Sequence, residues 1–144
     1  MSGQTVRDAM VPEPTMLGAG ASAQEAGLLL ADPDVRAIFV CDDGGRLVGV
    51  LTRKTLVREV VAAGLDPAGT RVDAIAEPPA HTLDAALPLD EAFRALEEDD
   101  LERVPVVEEG RLVGVLSRAV VQRRLAEDEP PPEDGDAASD GIVL

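Results

Sequence analysis

The sequence has no tryptophan and no tyrosine, and its only aromatic rings of that class are Phe39 and Phe93. Without aromatic faces there is little on which the bases of a single strand could stack. Basic residues are scarce too, with 13 lysines and arginines against 28 acids and a net charge of −15. That balance repels a phosphate backbone at long range, so a nucleic-acid partner is not expected. Cys41 is alone, which rules out an intrachain disulfide and a cysteine-based zinc site. Asp42 and Asp43 beside it disfavour a thiolate, so it is not read as reactive. The opening MSGQTVRDAM lacks an apolar core of signal-peptide length, and no apolar run is long enough to span a bilayer. The chain is therefore expected to be soluble and cytoplasmic, with no membrane partner. His81 is the one histidine, and no nucleophile–base pair or set of metal ligands presents itself, so neither an enzyme nor a metal site is expected.

What the sequence does hold is one phrase written twice. GRLVGVLT occupies residues 45–52 and GRLVGVLS occupies residues 110–117. The match extends further: VRDAM (6–10) aligns with RVDAI (71–75), and RAIFV (36–40) with RVPVV (103–107). The copies span residues 1–65 and 66–126, which at this length makes two small units sharing a core. Beyond them, EDEPPPEDGDAASDGIVL (127–144) carries seven acids, no base and three consecutive prolines. Such a segment buries too little apolar surface to offset its ordering entropy. It is expected to be a disordered acidic tail, with the closing GIVL a candidate apolar hook.

Each copy reads as a short helix start, a strand, a helix, a hairpin and a closing helix. Thr5–Asp8 and Thr70–Asp73 have capping-box spacing with Asp in place of Glu, and Ser22–Glu25 has the box in full. AQEAGLLLA then sets Ala26, Leu29 and Leu30 on one face. LDEAFRALEE repeats the pattern, with Ala92, Ala95 and Leu96 inward and Asp90 paired to Arg94 outside. RAIFV and RVPVV read as buried strands, joined by acidic glycine-rich turns to RLVGVL. Gly49 and Gly114 interrupt those second strands, which marks a bulge or a place where something approaches the backbone closely. The closing helices carry the stripes LVREVVAA and AVVQRRLA, which one pair of units would leave uncovered, so a homodimer is expected.

Thr52 and Ser117 stand where a strand ends and a helix begins. One reading is an N-cap, whose oxygen satisfies a free backbone N–H and contributes about 1 kcal/mol. Another adds an anion, commonly a phosphate, at the positive helix end, with Arg53 and Lys54 beside the first hydroxyl and Arg118 beside the second. The residues leave both readings open. Arg36 and Arg103, at the mouth of the equivalent strands, are either phosphate partners or paired surface charges. His81, in AHTL at the start of the second copy's first strand, is expected at the rim or wall of a pocket rather than as a base.

In wording and order, TVRDAMVPEP, RAIFVCDDGGRLVGVLT and RVPVVEEGRLVGVLS resemble a tandem pair of CBS domains, the cystathionine-β-synthase domains that pair as a Bateman module. The resemblance runs from residue 5 to about residue 126. It implies an α/β (α+β) fold, two β-α-β-β-α units packed sheet to sheet with pseudo-two-fold symmetry, two clefts between them, and dimers. It implies no required cofactor, a ligand such as AMP, ADP, ATP or S-adenosylmethionine, and a regulatory, non-catalytic role toward a separate effector protein. The family's ligand motif, Gly–apolar–x–Thr/Ser–x–x–Asp, maps onto Gly49, Val50 and Thr52 and onto Gly114, Val115 and Ser117. Its Asp, which holds ribose hydroxyls, falls on Thr55 and Val120. With the acid gone from both copies, the resemblance implies weak nucleotide binding, better in the first cleft than in the second. The alternative is a ligand-free dimer acting as a scaffold. Restoring the acid by Thr55→Asp is expected to tighten binding.

Overall fold

The short β-branched runs become strands with buried centres, with Ile38, Val40, Val104 and Val106 each at most 1% exposed. The computed structural model of the chain describes residues 3–12 and 14–128. The elements follow as α1 (Val6–Ala9), β1 (Val11–Pro12), β2 (Met16–Gly18), α2 (Ala23–Leu30), β3 (Ile38–Cys41), β4 (Leu47–Leu51) and α3 (Arg53–Leu56, prolonged by a π-helical turn over Val57–Val61). Then come α4 (Val72–Ile75), β5 (Leu83–Asp84), α5 (Leu89–Glu98), β6 (Arg103–Glu108), β7 (Arg111–Ser117) and α6 (Arg118–Asp128). The first two residues of the expected tail thus close α6; the remainder of that expectation lies outside the described residues.

The architecture is mixed α/β with two sheets. In the first, of order β2-β3-β4, β2 runs parallel to β3 and β3 antiparallel to β4. In the second, of order β1-β7-β6-β5, β5 is parallel to β6, and β7 is antiparallel to both β6 and β1. The parallel pairs need a crossover, which α2 and α5 supply. Pro105 has no N–H for a ladder, and it sits just ahead of the point where β5 begins to pair at Val106.

The repeats in sequence and the cores in space do not coincide. Val6 and Ala9 of α1 pack with Leu89, Ala92, Leu96 and Leu116 of the second copy. Val72 and Ile75 of α4 pack with Ala26, Leu30, Ile38 and Leu51 of the first. Each copy's leading helix is seated in the other copy's core. The exchange continues along the main chain: β1 pairs with β7, and Glu77 exchanges two hydrogen bonds with Val50 (2.8 and 2.9 Å). Val6 corresponds to Val72, so the leading helices align one residue later than the VRDAM–RVDAI match placed them.

This exchange explains the strand glycines. A Cβ on Gly114 would stand 2.7 Å from Met10 Sδ and 2.8 Å from the Val11 carbonyl oxygen. A Cβ on Gly49 would stand 2.6 Å from Ala76 Cβ and 3.2 Å from the Glu77 carbonyl oxygen. What approaches the backbone closely is the chain itself. The repeated phrase also meets its own copy, since Leu47 N–H donates to the Gly110 carbonyl (3.2 Å) and Leu112 N–H to that of Gly45 (3.1 Å). Those two bonds exchange under the repeat, so the pseudo-two-fold axis passes between the hairpins. Beside it, Phe39, Cys41 and Leu112 pack together and join the two sheets.

Several local expectations change. Thr5 N–H does donate to the Asp8 carboxylate (2.9 Å), and Ser22 Oγ accepts from Glu25 N–H (3.1 Å). Thr70–Asp73 makes no capping box: Thr70 gives its hydroxyl to the Asp66 carbonyl, and Arg71 takes both Asp73 oxygens (3.0 and 2.9 Å). Those hydrogen bonds from Arg71 hold the Asp73 carboxyl below the ordinary aspartate range. Among the described residues Asp90 and Arg94 form no ion pair; Asp90 accepts from Glu91 N–H instead (3.0 Å). Of the two stripes, Val60 of the first and Val121 of the second are both buried, and only the first leaves large apolar side chains exposed. Val57 and Val61 are 58% and 71% exposed, whereas Val121 is fully buried and Leu125 packs on the core.

Candidate functional site

A cleft of about 670 Å³ opens between the copies, within the size range of small-molecule sites. The ends of β4 and β7 bring Val50, Thr52, Val115 and Ser117 to it, and the first turns of α3 and α6 add Thr55 and Val120. Arg36 comes from just before β3, Arg103 from the start of β6, and His81 from just before β5. Both copies thus contribute to one continuous space. Gly49 and Gly114 are not among its lining residues; they lie under Ala76–Glu77 and Met10–Val11.

The hydroxyls are caps. Thr52 Oγ1 accepts from Thr55 N–H at 3.4 Å, and Ser117 Oγ from Val120 N–H at 3.1 Å. The arginines beside them turn away from the cleft. Arg53 donates to the carbonyls of Asp32 (2.7 Å) and Val35 (2.8 Å), beyond the end of α2. Arg118 donates to the carbonyl of Leu96 (3.5 Å) and to Asp100 (3.3 Å) and Glu102 (3.0 Å), around the end of α5. Carbonyls at and beyond a helix end lack intrahelical partners, and a guanidinium with five N–H groups satisfies several at once. Arg53 and Arg118 therefore serve equivalent structural positions, and the expectation that they face a bound anion is corrected.

Arg36 and Arg103 behave differently. Both are exposed, both line the cleft, and neither has a hydrogen-bond or ion-pair partner among the described residues. His81 Nδ1 lies 3.7 Å from the Asp99 carboxylate at the cleft edge.

The residue that sequence reasoning missed is Glu77. Thr55 is only 1% exposed, so its hydroxyl needs partners. It finds Thr52 Oγ1 at 3.1 Å and Glu77 Oε2 at 3.3 Å. Arg58 donates to the same Glu77 oxygen at 2.8 Å. On the opposite wall the corresponding positions are Ser117 and Val120 of the second copy and Val11 of the first, and Val11 is 57% exposed. No periodicity announces Glu77; the only sequence signal was Gly49, whose missing Cβ makes room for it. The carboxylate also counts against the expectation for Thr55→Asp, which would set a second acid beside the first.

Cys41 lies in the sheet interface rather than in the cleft, and burial, followed by the Asp42 charge, pushes its thiol up. Among the described residues, no three His, Cys, Asp or Glu side chains gather to hold a metal, and no helix is long and apolar enough to cross a membrane.

The model of the CBS domain family matches this chain twice, over residues 6–62 and 72–127. The chain belongs to the CBS domain family. The CBS pair is 34% identical over 123 residues to hypoxic response protein 1 of Mycobacterium tuberculosis, covering 85% of this chain and 86% of that one. A crystal structure of hypoxic response protein 1 with two coordinated zinc ions superposes on the CBS pair with a TM-score of 0.70 at 33% identity, covering 83% of this chain and 98% of that one. CBSX2 in complex with AMP superposes with a TM-score of 0.69 at 28% identity, covering 87% and 98%.

Proposed function

We propose that this CBS pair is a non-catalytic, cytoplasmic regulatory module that takes an adenine nucleotide or related anion in its cleft and signals its occupancy to a separate effector protein. The observation that carries the reading is the arginine pair. Arg36 and Arg103 occupy equivalent places in the two copies, line one cleft and lack partners among the described residues, in a chain of net charge −15. Unpaired cations in so acidic a chain attract an anionic group, and a guanidinium suits a phosphate in particular. Phe39, Val50, Pro105 and Val115 give the same cleft an apolar surface for a base. CBSX2, with the same fold, binds AMP, which favours a nucleotide among anions.

Calorimetric titration with AMP and ATP tests this. The wild type binds in the micromolar range or weaker, and Arg36→Ala/Arg103→Ala weakens binding by about tenfold or more through lost charge-assisted hydrogen bonds. No heat at millimolar nucleotide overturns the reading. The scaffold alternative then stands, and one observation favours it: Arg53 and Arg118, the cations nearest the two hydroxyls in sequence, are committed to the fold. Zinc, which the crystal structure of hypoxic response protein 1 contains, finds no group of three His, Cys, Asp or Glu donors among the described residues of this chain. The module is a homodimer in this reading, through the first copy's helices, where Leu28, Val57 and Val61 are 72%, 58% and 71% exposed. A monomer by light scattering at micromolar concentration overturns that part.

A further inference from the structure

The two walls of the cleft differ in polarity at two paired positions, Thr55 against Val120 and Glu77 against Val11, and the difference centres on Glu77. Its main chain is fixed by two bonds to Val50, and Oε2 is held by Thr55 and Arg58. Oε1 has no partner among the described residues, and the side chain, 54% exposed, lines the cleft. A carboxylate with one oxygen anchored and the other open is a preorganised acceptor. It repels phosphate and accepts from neutral O–H donors, and its bonds to them are charge-assisted. At the corresponding position, Val11 accepts nothing, and Val120 stands where Thr55 would.

We infer that Glu77 selects the sugar of the bound nucleotide, accepting a hydrogen bond from its ribose 2′-hydroxyl, and that each chain accordingly seats one nucleotide rather than two. The inference rests on the nucleotide reading and adds an orientation to it. The sugar lies against Thr52, Thr55 and Glu77, and the phosphate is directed away from that carboxylate, toward Arg36 and Arg103. Arg58 is a positioning residue: it sits outside the cleft lining and acts on the ligand only through Glu77 Oε2.

The test is calorimetric titration of the full chain and of Glu77→Gln with AMP and with 2′-deoxy-AMP, with melting temperatures recorded for both proteins. The wild type binds one AMP per chain and prefers AMP over 2′-deoxy-AMP by about tenfold or more. Glu77→Gln keeps its melting temperature and its affinity for 2′-deoxy-AMP while the preference falls to within about threefold, the charge-assisted part of the bond being lost. Two AMP per chain, a wild type indifferent to the 2′-hydroxyl, or a preference that survives in Glu77→Gln each overturns the role of Glu77 and leaves nucleotide binding standing. The wild-type ratio decides the matter even where the variant fails to fold. Absence of binding by the wild type to either nucleotide overturns the nucleotide reading and this inference with it.

Discussion

One wall of the cleft holds Thr52 and Thr55 with Glu77 from the other copy; the opposite wall holds Ser117 and Val120 with Val11 likewise exchanged. Only the first position is chemically alike, and it is the one whose oxygen caps a helix in both copies. Arg53 and Arg118 are alike for a similar reason, since each closes the end of the preceding helix. Gly49 and Gly114 are alike because each lets the other copy's chain cross at close range. Positions that hold the fold agree between the walls; of those that face the cleft, Arg36 and Arg103 agree, whereas Thr55 and Glu77 differ from Val120 and Val11. Most repeated residues here are therefore structural ones, with the arginine pair the exception, and the asymmetry of the cleft lies where the copies part.

Making the walls more alike by force has the largest expected effect. Thr55→Asp places a charge at a site 1% exposed and next to Glu77, and costs about 3–5 kcal/mol in urea unfolding, as uncompensated buried charges do. Val120→Asp, at a half-buried position, costs less, and Thr55→Asp/Glu77→Gln recovers much of the loss. Next comes the shared glycine. Gly114→Ala drives a Cβ to within 2.8 Å of the Val11 carbonyl oxygen and costs about 1–3 kcal/mol, whereas Gly18→Ala, with nothing within 4 Å, stays within about 0.5 kcal/mol of wild type.

The paired arginines separate more finely. Arg53→Ala loses two short bonds to backbone carbonyls and costs about 1.5 kcal/mol with little dependence on salt, the lower end for charged hydrogen bonds because the residue is exposed. Arg118→Ala loses ion pairs to the exposed Asp100 and Glu102 and costs at most about 1 kcal/mol, shrinking as salt is added. Thermal unfolding across a salt series distinguishes the two. Ser117→Ala, which removes a cap alone, costs about 1 kcal/mol, and Thr52→Val, which also takes a partner from the buried Thr55 hydroxyl, costs somewhat more; equal losses would show that the Thr52–Thr55 bond adds little.

Strands and main helices were legible because their signals are local. Val40 and Val106 lie in β-branched runs, and Ala26 and Leu96 fall on helical stripes. Eight of the twelve anticipated site residues line the cleft: Arg36, Val50, Thr52, Thr55, His81, Arg103, Val115 and Ser117. The failures were non-local. Whether Arg53 faces a ligand or a carbonyl depends on where α2 ends in space, and the place of Glu77 depends on a bridge to Val50 twenty-seven positions earlier. The stripe AVVQRRLA reads like LVREVVAA, yet Val57 and Val61 of the latter are exposed, whereas Val121 and Leu125 of the former pack on a core that includes Val6 from far along the sequence.

The exchange of leading helices also constrains the order in which the chain can assemble. As the polypeptide emerges during synthesis, Val6 precedes its partners Leu89 and Leu116 by most of the sequence, and β1 has no neighbour until β7 arrives. The opening helix therefore waits, unsheltered, while the first sheet forms without it. Long-range closure of this kind slows folding and leaves apolar surface exposed in the interval. Cutting the chain between the copies would strand each leading helix on the wrong fragment, giving two fragments with incomplete cores that regain them only on recombining. Two copies in sequence thus make a single cooperative folding unit.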